Sequence, residues 1–251
     1  MKAFEQVVKS KYGVLMLSAT FFRTRFDKLF FMLKMFQLNI PSKPEYLDTI
    51  LNIAIGANIK SNGIKWIETV HKIKMDNQFY SEYSQHKKTN KKESYLELKK
   101  FMWDNVDWEL LLIEKVNLLL TNKKKILVFA ESENQLDKLK LLLEKDNTIN
   151  NWSFYPDISK DVCVISKYKG TYGINNLIKY DTILMKPPEP DKLPQIKGRL
   201  DRPGQISPKL FIEYVVIADT IDEIDLVSLQ IANNFYSSHI IPLANYYDKY
   251  T

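Results

Sequence analysis

KILVFAESENQLDKLKLLL, residues 125–143, is the stretch that decides the fold. Ile126 to Ala130 is an unbroken apolar run. A strand reads this way, without polar alternation, when both faces of its sheet are covered, as in parallel sheets. From Glu133 to Leu143 the apolar residues Leu136, Leu139 and Leu143 recur at helical spacing, which predicts a helix with one face on the core. A buried strand followed at once by an amphipathic helix is the repeating half of a βαβ unit.

Toward the C-terminus the alternation continues. The pattern predicts a strand at Val162 to Ser166, a glycine-bearing loop, a strand at Thr182 to Met185 and a helix around Gln195 to Arg202. A strand at Leu210 to Val216 and a closing helix from about Ile221 complete it. Strands alternating with helices imply a parallel α/β sheet with helices on both faces.

Toward the N-terminus the texture is mostly helical. Trp108 to Leu120 reads as an amphipathic helix, HKKTNKKES (residues 86–94) as a solvated polar loop, and DNQFYSEYSQ (76–85) as a helix capped by Asp76. Thr69 to Met75 alternates like a half-exposed strand. Phe26, Leu29, Phe30, Leu33 and Phe36 place a core-facing helix at residues 25–36, and Gly13 to Leu17 reads as a buried strand ending at Ser18 and Thr20. The change of texture predicts a boundary near residue 105, with domains at 1–105 and 106–251.

Composition narrows the function classes. With 45% hydrophobic and 26% charged residues, the 251-residue chain has the make-up of a folded protein rather than a disordered one. Lys and Arg exceed Asp and Glu by 36 to 30, so contact with a polyanion is compatible with the charge but not required by it. The single cysteine, Cys163, excludes an internal disulfide, and His71, His86 and His239 are too scattered for a zinc cluster. No secretory signal and no membrane span is read from the sequence, so the expected setting is intracellular and reducing.

Two segments carry candidate chemistry. In QIKGRLDRPGQ (195–205), Arg199 and Arg202 stand three apart, which on a helix would place both guanidiniums on one face. Arginine's planar fork matches phosphate oxygens two at a time, whereas lysine offers a point charge. A pair of surface arginines in ion pairs with neighbours such as Asp201 fits the spacing equally well. In SKYKGTYGINN (166–176), Gly170 and Gly173 follow a strand end, where backbone N–H groups can approach a phosphate and Ser166 and Lys167 add donors. An ordinary turn is the simpler alternative there. No G-x-x-x-x-G-K-[ST] occurs, and Asp222 with Glu223 reads as a solvated helix N-terminus rather than a magnesium site.

Taken in order, these pieces resemble the conserved motifs of superfamily 2 helicases, and among them the Swi/Snf-like ATP-dependent translocases. LMLSAT (15–20) is similar to motif III, KILVFAESENQLDKLKLLL to motif IV, VISKYKGTYGINN (164–176) to motif V and QIKGRLDRPGQ to motif VI. The Gly204-Gln205 ending, the DTIDEIDL helix (219–226) and HKIKMDNQFYSEYSQ (71–85) point to the Swi/Snf-like group. The resemblance implies a RecA-like C-terminal lobe preceded by a mostly helical remnant of the first lobe.

It also implies the site residues. Arg199 and Arg202 would reach the phosphates of ATP, with Gln195, Gly173 and Asn175 shaping the nucleotide side. Ser166, Lys167 and Gly170 would lie along DNA or RNA, and Ser18 and Thr20 would couple nucleotide state to lobe closure. Phe21, Lys167 and Lys186 depart from the residues usual in the family. The P-loop and Asp-Glu box of the first lobe are not in this sequence, and no metal ligand is expected. ATP and Mg would therefore bind only together with a P-loop-bearing partner lobe, and the isolated chain should not hydrolyse ATP. A nucleic-acid-binding module that has lost ATPase chemistry, or an unrelated nucleotide-binding transferase, would share much of this pattern. The Lys-, Asn- and Ile-rich composition hints at an A+T-rich genome such as that of a large DNA virus.

Overall fold

A computed structural model of the chain describes residues 64–87, 91–145, 149–167, 169 and 176–235. The chain divides into two compact units, residues 61–227 and residues 1–60 with 228–251. Of the second, only residues 228–235 are described. The strand and helix expected before residue 37 lie outside the described residues.

The 61–227 unit begins with β1 (Lys65–Ile73), followed by α1 (Asn77–Gln85), α2 (Lys91–Asn105) and α3 (Trp108–Thr121). The α/β alternation then runs β2 (Ile126–Ala130), α4 (Glu133–Lys145), β3 (Trp152–Phe154), β4 (Val162–Ser166), β5 (Thr182–Met185), α5 (Leu193–Lys197) and β6 (Lys209–Ile217). α6 (Ile221–Phe235) starts in this unit and ends in the other.

Among the described residues the strands form one six-stranded sheet in the order β1-β6-β5-β2-β4-β3. Every pairing is parallel. The expected parallel α/β sheet is what the chain builds. β2 and β4 carry no exposed residue along their lengths, which explains their continuous apolar composition. Ile126, Val128 and Ala130 share a core cluster with residues of α1, α2, α3 and α4. Their alternates, Leu127 and Phe129, are equally buried on the opposite face.

Three differences from the sequence reading have local causes. The sheet reaches back across residue 105, because β1 pairs with β6 from Lys65↔Lys209 to Ile73↔Ile217 and forms an edge of the same sheet. β1 also starts and ends earlier than the alternation at Thr69 to Met75 suggested. Met75 N–H instead donates to Tyr80 Oη, and Asp76 accepts from Phe79 N–H at 2.7 Å to cap α1 as predicted. The lysine-rich stretch from Lys91 is the first turn of α2 rather than loop; Leu98, Phe101 and Met102 bury one stripe of that helix.

α1 also secures the start of α6. Tyr80 Oη donates to Ala218 O at 3.0 Å, and Ile221 N–H donates to Tyr83 Oη at 2.8 Å. Thr220 Oγ1 accepts from Asp222 N–H, so a backbone donor that the helix leaves open is satisfied locally.

Leu127 lies on a strand bonded on both sides and is fully buried. Leu127→Ala should lower stability by about 2–5 kcal/mol. The loss should appear as a lower urea midpoint with an unchanged slope.

Candidate functional site

One group of charged residues gathers where β2, β4 and β5 end. Buried on both faces, the sheet leaves its carboxyl edge as the place where polar groups can be exposed to a ligand. Ser166, the last residue of β4, is fully buried and donates from Oγ to Glu133 Oε1 at 2.5 Å. Lys167 follows, with Nζ 3.2 Å from Glu131 Oε2 and 3.1 Å from Glu189 Oε2. Lys169 Nζ lies 3.1 Å from Glu133. Gln135, 1% exposed, accepts from Glu131 N–H and fixes the turn after β2. Ser166 and Lys167 are thus brought to one edge, already engaged with carboxylates from the turns after β2 and β5. Gly170, Gly173 and Asn175 lie outside the described residues, as do Ser18 and Thr20.

The hydrogen bond from Ser166, and secondarily Lys169, holds the Glu133 carboxyl below its usual value of 4.5. A depressed carboxyl contributes stability above that unfolded value, and the contribution is lost as pH falls through the folded value.

Next to this edge, a cation sits in the core side of the lobe. Lys186 directly follows β5, with Nζ 3.6 Å from the centroid of the Trp108 ring and 3.3 Å from Asp222 Oδ1. Asp222 is 1% exposed and also accepts from Ile217 N–H at 3.1 Å. The expectation of a solvated Asp222 is therefore corrected: it is a buried counter-ion. Burial pushes the Lys186 ammonium down and the Asp222 carboxyl up, and their mutual attraction opposes both shifts. Glu223 does face outward and pairs with Lys72 at 2.7 Å. The departure at Lys186 is thus matched by a carboxylate at the start of α6.

The arginine segment differs from the helix expected at residues 195–202. Pro194 occupies the first turn of α5, which ends at Lys197 with Gly198 as its C-cap. Beyond it the backbone closes tighter turns, with Arg199 N–H donating to Ile196 O and Leu200 N–H to Lys197 O. Glycine weakens the helix at 198, and Pro203 disfavours helical backbone at Arg202. Leu200 is fully buried in the turn. Gly204 has φ +95°, a left-handed conformation that glycine tolerates, and a Cβ there would meet Ile178 Cδ1 at 3.2 Å. Gln205 locks the exit: its amide N–H groups donate to Tyr180 O and Leu200 O, and its Oε1 accepts from Ser207 N–H.

Arg199 and Arg202 nonetheless lie close enough for their charges to act on one another. Arg199 is 8% exposed, and burial, followed by the positive charge of Arg202, pushes its guanidinium below the usual value. Arg202 Nε donates to Gly198 O at 2.7 Å, filling a carbonyl that the short helix leaves open. Gln195 is half-buried on α5. Among the described residues no group of three or more His, Cys, Asp or Glu side chains could hold a metal ion, and no helix is long and apolar enough to cross a membrane.

The described residues define a parallel α/β lobe with a closely set arginine pair and a cation–carboxylate network at its strand ends. The chain is similar to a protein of Acanthamoeba polyphaga mimivirus named "Putative helicase L115", with 38% identity over 98% of this chain. It spans 20%, about a fifth, of that protein's length. No protein-family model matches the chain. Among solved structures, the C-terminal part of the Fun30 ATPase domain resembles it at a TM-score of 0.48 and 13% identity, over 70% of this chain and 98% of that one.

The residues missed in the sequence are the carboxylates. Glu131 and Glu133 stand directly after the buried run of β2, and that position at a strand's carboxyl end is the signal that would have found them. Glu189 follows β5 in the same way.

Two measurements check this arrangement. Asp222→Asn should cost about 3–5 kcal/mol by leaving Lys186 buried without its counter-ion, and adding Lys186→Met should restore most of that loss. In urea titrations from pH 7 to pH 3, wild-type stability should fall more steeply than that of Ser166→Ala, because the variant keeps only Lys169 to hold the Glu133 carboxyl down.

Proposed function

We propose that the chain supplies the second RecA-like lobe of a Swi/Snf-like ATP-dependent DNA translocase. In this reading Arg199 and Arg202 face the phosphates of ATP held by a P-loop-bearing first lobe, and the loop after β4 tracks the nucleic-acid backbone. The observation that carries it is the arginine pair. A planar guanidinium fork matches phosphate oxygens two at a time, and a second positive charge near it suits a polyphosphate. The similarity to a mimivirus protein named as a helicase supports the same reading.

The described residues fit part of the nucleotide's needs. The guanidiniums suit phosphate oxygens, while no carboxylate cluster suited to Mg is found among them, so the metal ligands would come from the first lobe. ATP, when bound, supplies the phosphoryl group whose transfer drives the cycle. This chain's part is to bring two fixed positive charges to that group and to exclude water with the buried turn around Leu200. At the strand ends, Lys167 would exchange its carboxylate partners for a phosphate of the tracked strand, which makes binding salt-dependent.

The deciding experiment joins the chain to a P-loop lobe and measures DNA-stimulated ATP hydrolysis. Arg202→Ala, and separately Arg199→Ala, should lower turnover by about 10³-fold or more, the scale of an arginine finger. Arg202→Lys should recover little, since a point charge does not replace a planar fork. Undiminished turnover in Arg202→Ala would remove that residue from the role.

A further inference from the structure

β1 touches the arginine segment at two places, and no function is yet attached to either contact. Trp66 Nε1–H donates to Asp201 Oδ2 at 3.3 Å. Two residues along the same strand, Glu68 Oε1 accepts from Lys197 Nζ at 2.6 Å. The Lys197 ammonium also lies 5.4 Å from the centroid of the Trp66 ring. In a strand, residues two apart share a face, so Trp66 and Glu68 grip the segment from one side. They hold it at Lys197 and Asp201, the residues that bracket Arg199 and precede Arg202.

The register explains why these contacts converge. Trp66 lies opposite Leu210 and Glu68 opposite Ile212 on β6, both fully buried. Tyr214, opposite Val70 and 1% exposed, shares that face; burial and then the nearby Glu68 carboxylate push its phenol up. β1 is therefore fixed by its ladder to β6, and its two side chains project onto a segment whose own backbone bonds are short-range turns.

Stability alone does not account for the contacts. Glu68 and Lys197 are partly exposed, with side chains 36% and 23% accessible, and an ion pair of that kind contributes little to stability. Geometry accounts for them better. A turn segment can rotate about its ends unless it is held on both flanks, and Trp66 and Glu68 hold this one on either side of Arg199. Asp201 N–H already bonds Lys197 O at 3.0 Å, so fixing those two residues fixes the turn between them.

We infer that Trp66 and Glu68 of the edge strand β1 are positioning residues that set the Arg199–Arg202 pair in the orientation its phosphate ligand requires. This deepens the translocase reading and rests on it for the ligand, but the clamp itself can be read in the chain alone. The first measurement is solvent exchange of the Arg202 Nε–H, followed by nuclear magnetic resonance in the full 251-residue chain. Trp66→Phe combined with Glu68→Gln should speed that exchange by up to about tenfold, the equivalent of losing one net hydrogen bond. Lys197→Gln, approached from the other side, should reproduce the change, and the urea midpoint should stay near wild type in both.

The second measurement is turnover with the P-loop lobe attached. The β1 double variant should lower kcat by about 10- to 100-fold while leaving the KM for ATP nearly unchanged, the signature of a misplaced group that acts in the transition state. Unaltered Arg202 exchange in both variants overturns the clamp, whatever the enzyme does. Faster exchange in the β1 variant, together with normal turnover in Arg202→Ala, keeps the clamp and overturns the translocase reading instead.

Discussion

Parallel strands with both faces buried allow polar chemistry only at their ends, and this constraint organises the lobe. β2 and β4 carry no exposed residue, so each polar side chain that belongs to them comes immediately after the last apolar position. Glu131 and Glu133 follow β2, Ser166 and Lys167 close β4, and Lys186 follows β5. Because paired parallel strands run the same way, these residues reach one edge without any loop having to bring them there. The ion pairs of Lys167 with Glu131 and Glu189 are a consequence of that topology.

The same constraint decided what the sequence made legible. Ile126–Ala130, Val162–Ser166 and Thr182–Met185 lie where the apolar runs put them, because a doubly covered strand has no other composition available. Where structure depends on a side chain's partner, local pattern falls short. The Lys-rich opening of α2 has the composition of a loop, and its helix depends on Leu98, Phe101 and Met102 reaching the core. Asp222 looks like a solvated helix start because its counter-ion, Lys186, is distant in sequence and adjacent only in the fold. β3, three residues long, has too little sequence to show a period.

In the arginine segment the local geometry differs from the one the spacing suggested. Three-residue spacing suggested one helical face, yet the helix stops at Lys197 and both arginines are carried on the turns that follow. Gly198 and Pro203 are the visible reasons, and both belong to the quoted motif. A continuous helix would have aimed the arginines along a fixed face and left Leu200 to follow the helical path. The turns instead bury Leu200 completely and return Arg202 Nε to the Gly198 carbonyl. Proximity of the two cations is thus obtained by anchoring an apolar residue between them.

Anchoring has an electrostatic cost that the rest of the lobe has to offset. Burial, followed by the charge of Arg202, disfavours the charged Arg199 guanidinium, so other contacts have to hold the segment that carries it. A flexible loop would escape that cost by moving apart, and would then have to be reassembled in each catalytic cycle. A segment held by Gln205 at its exit, by Leu200 in the core and by β1 along its flank keeps the two charges where they are. In the proposed translocase such a placement would be preorganisation, since the charges would stand ready before the phosphate whose developing charge they meet.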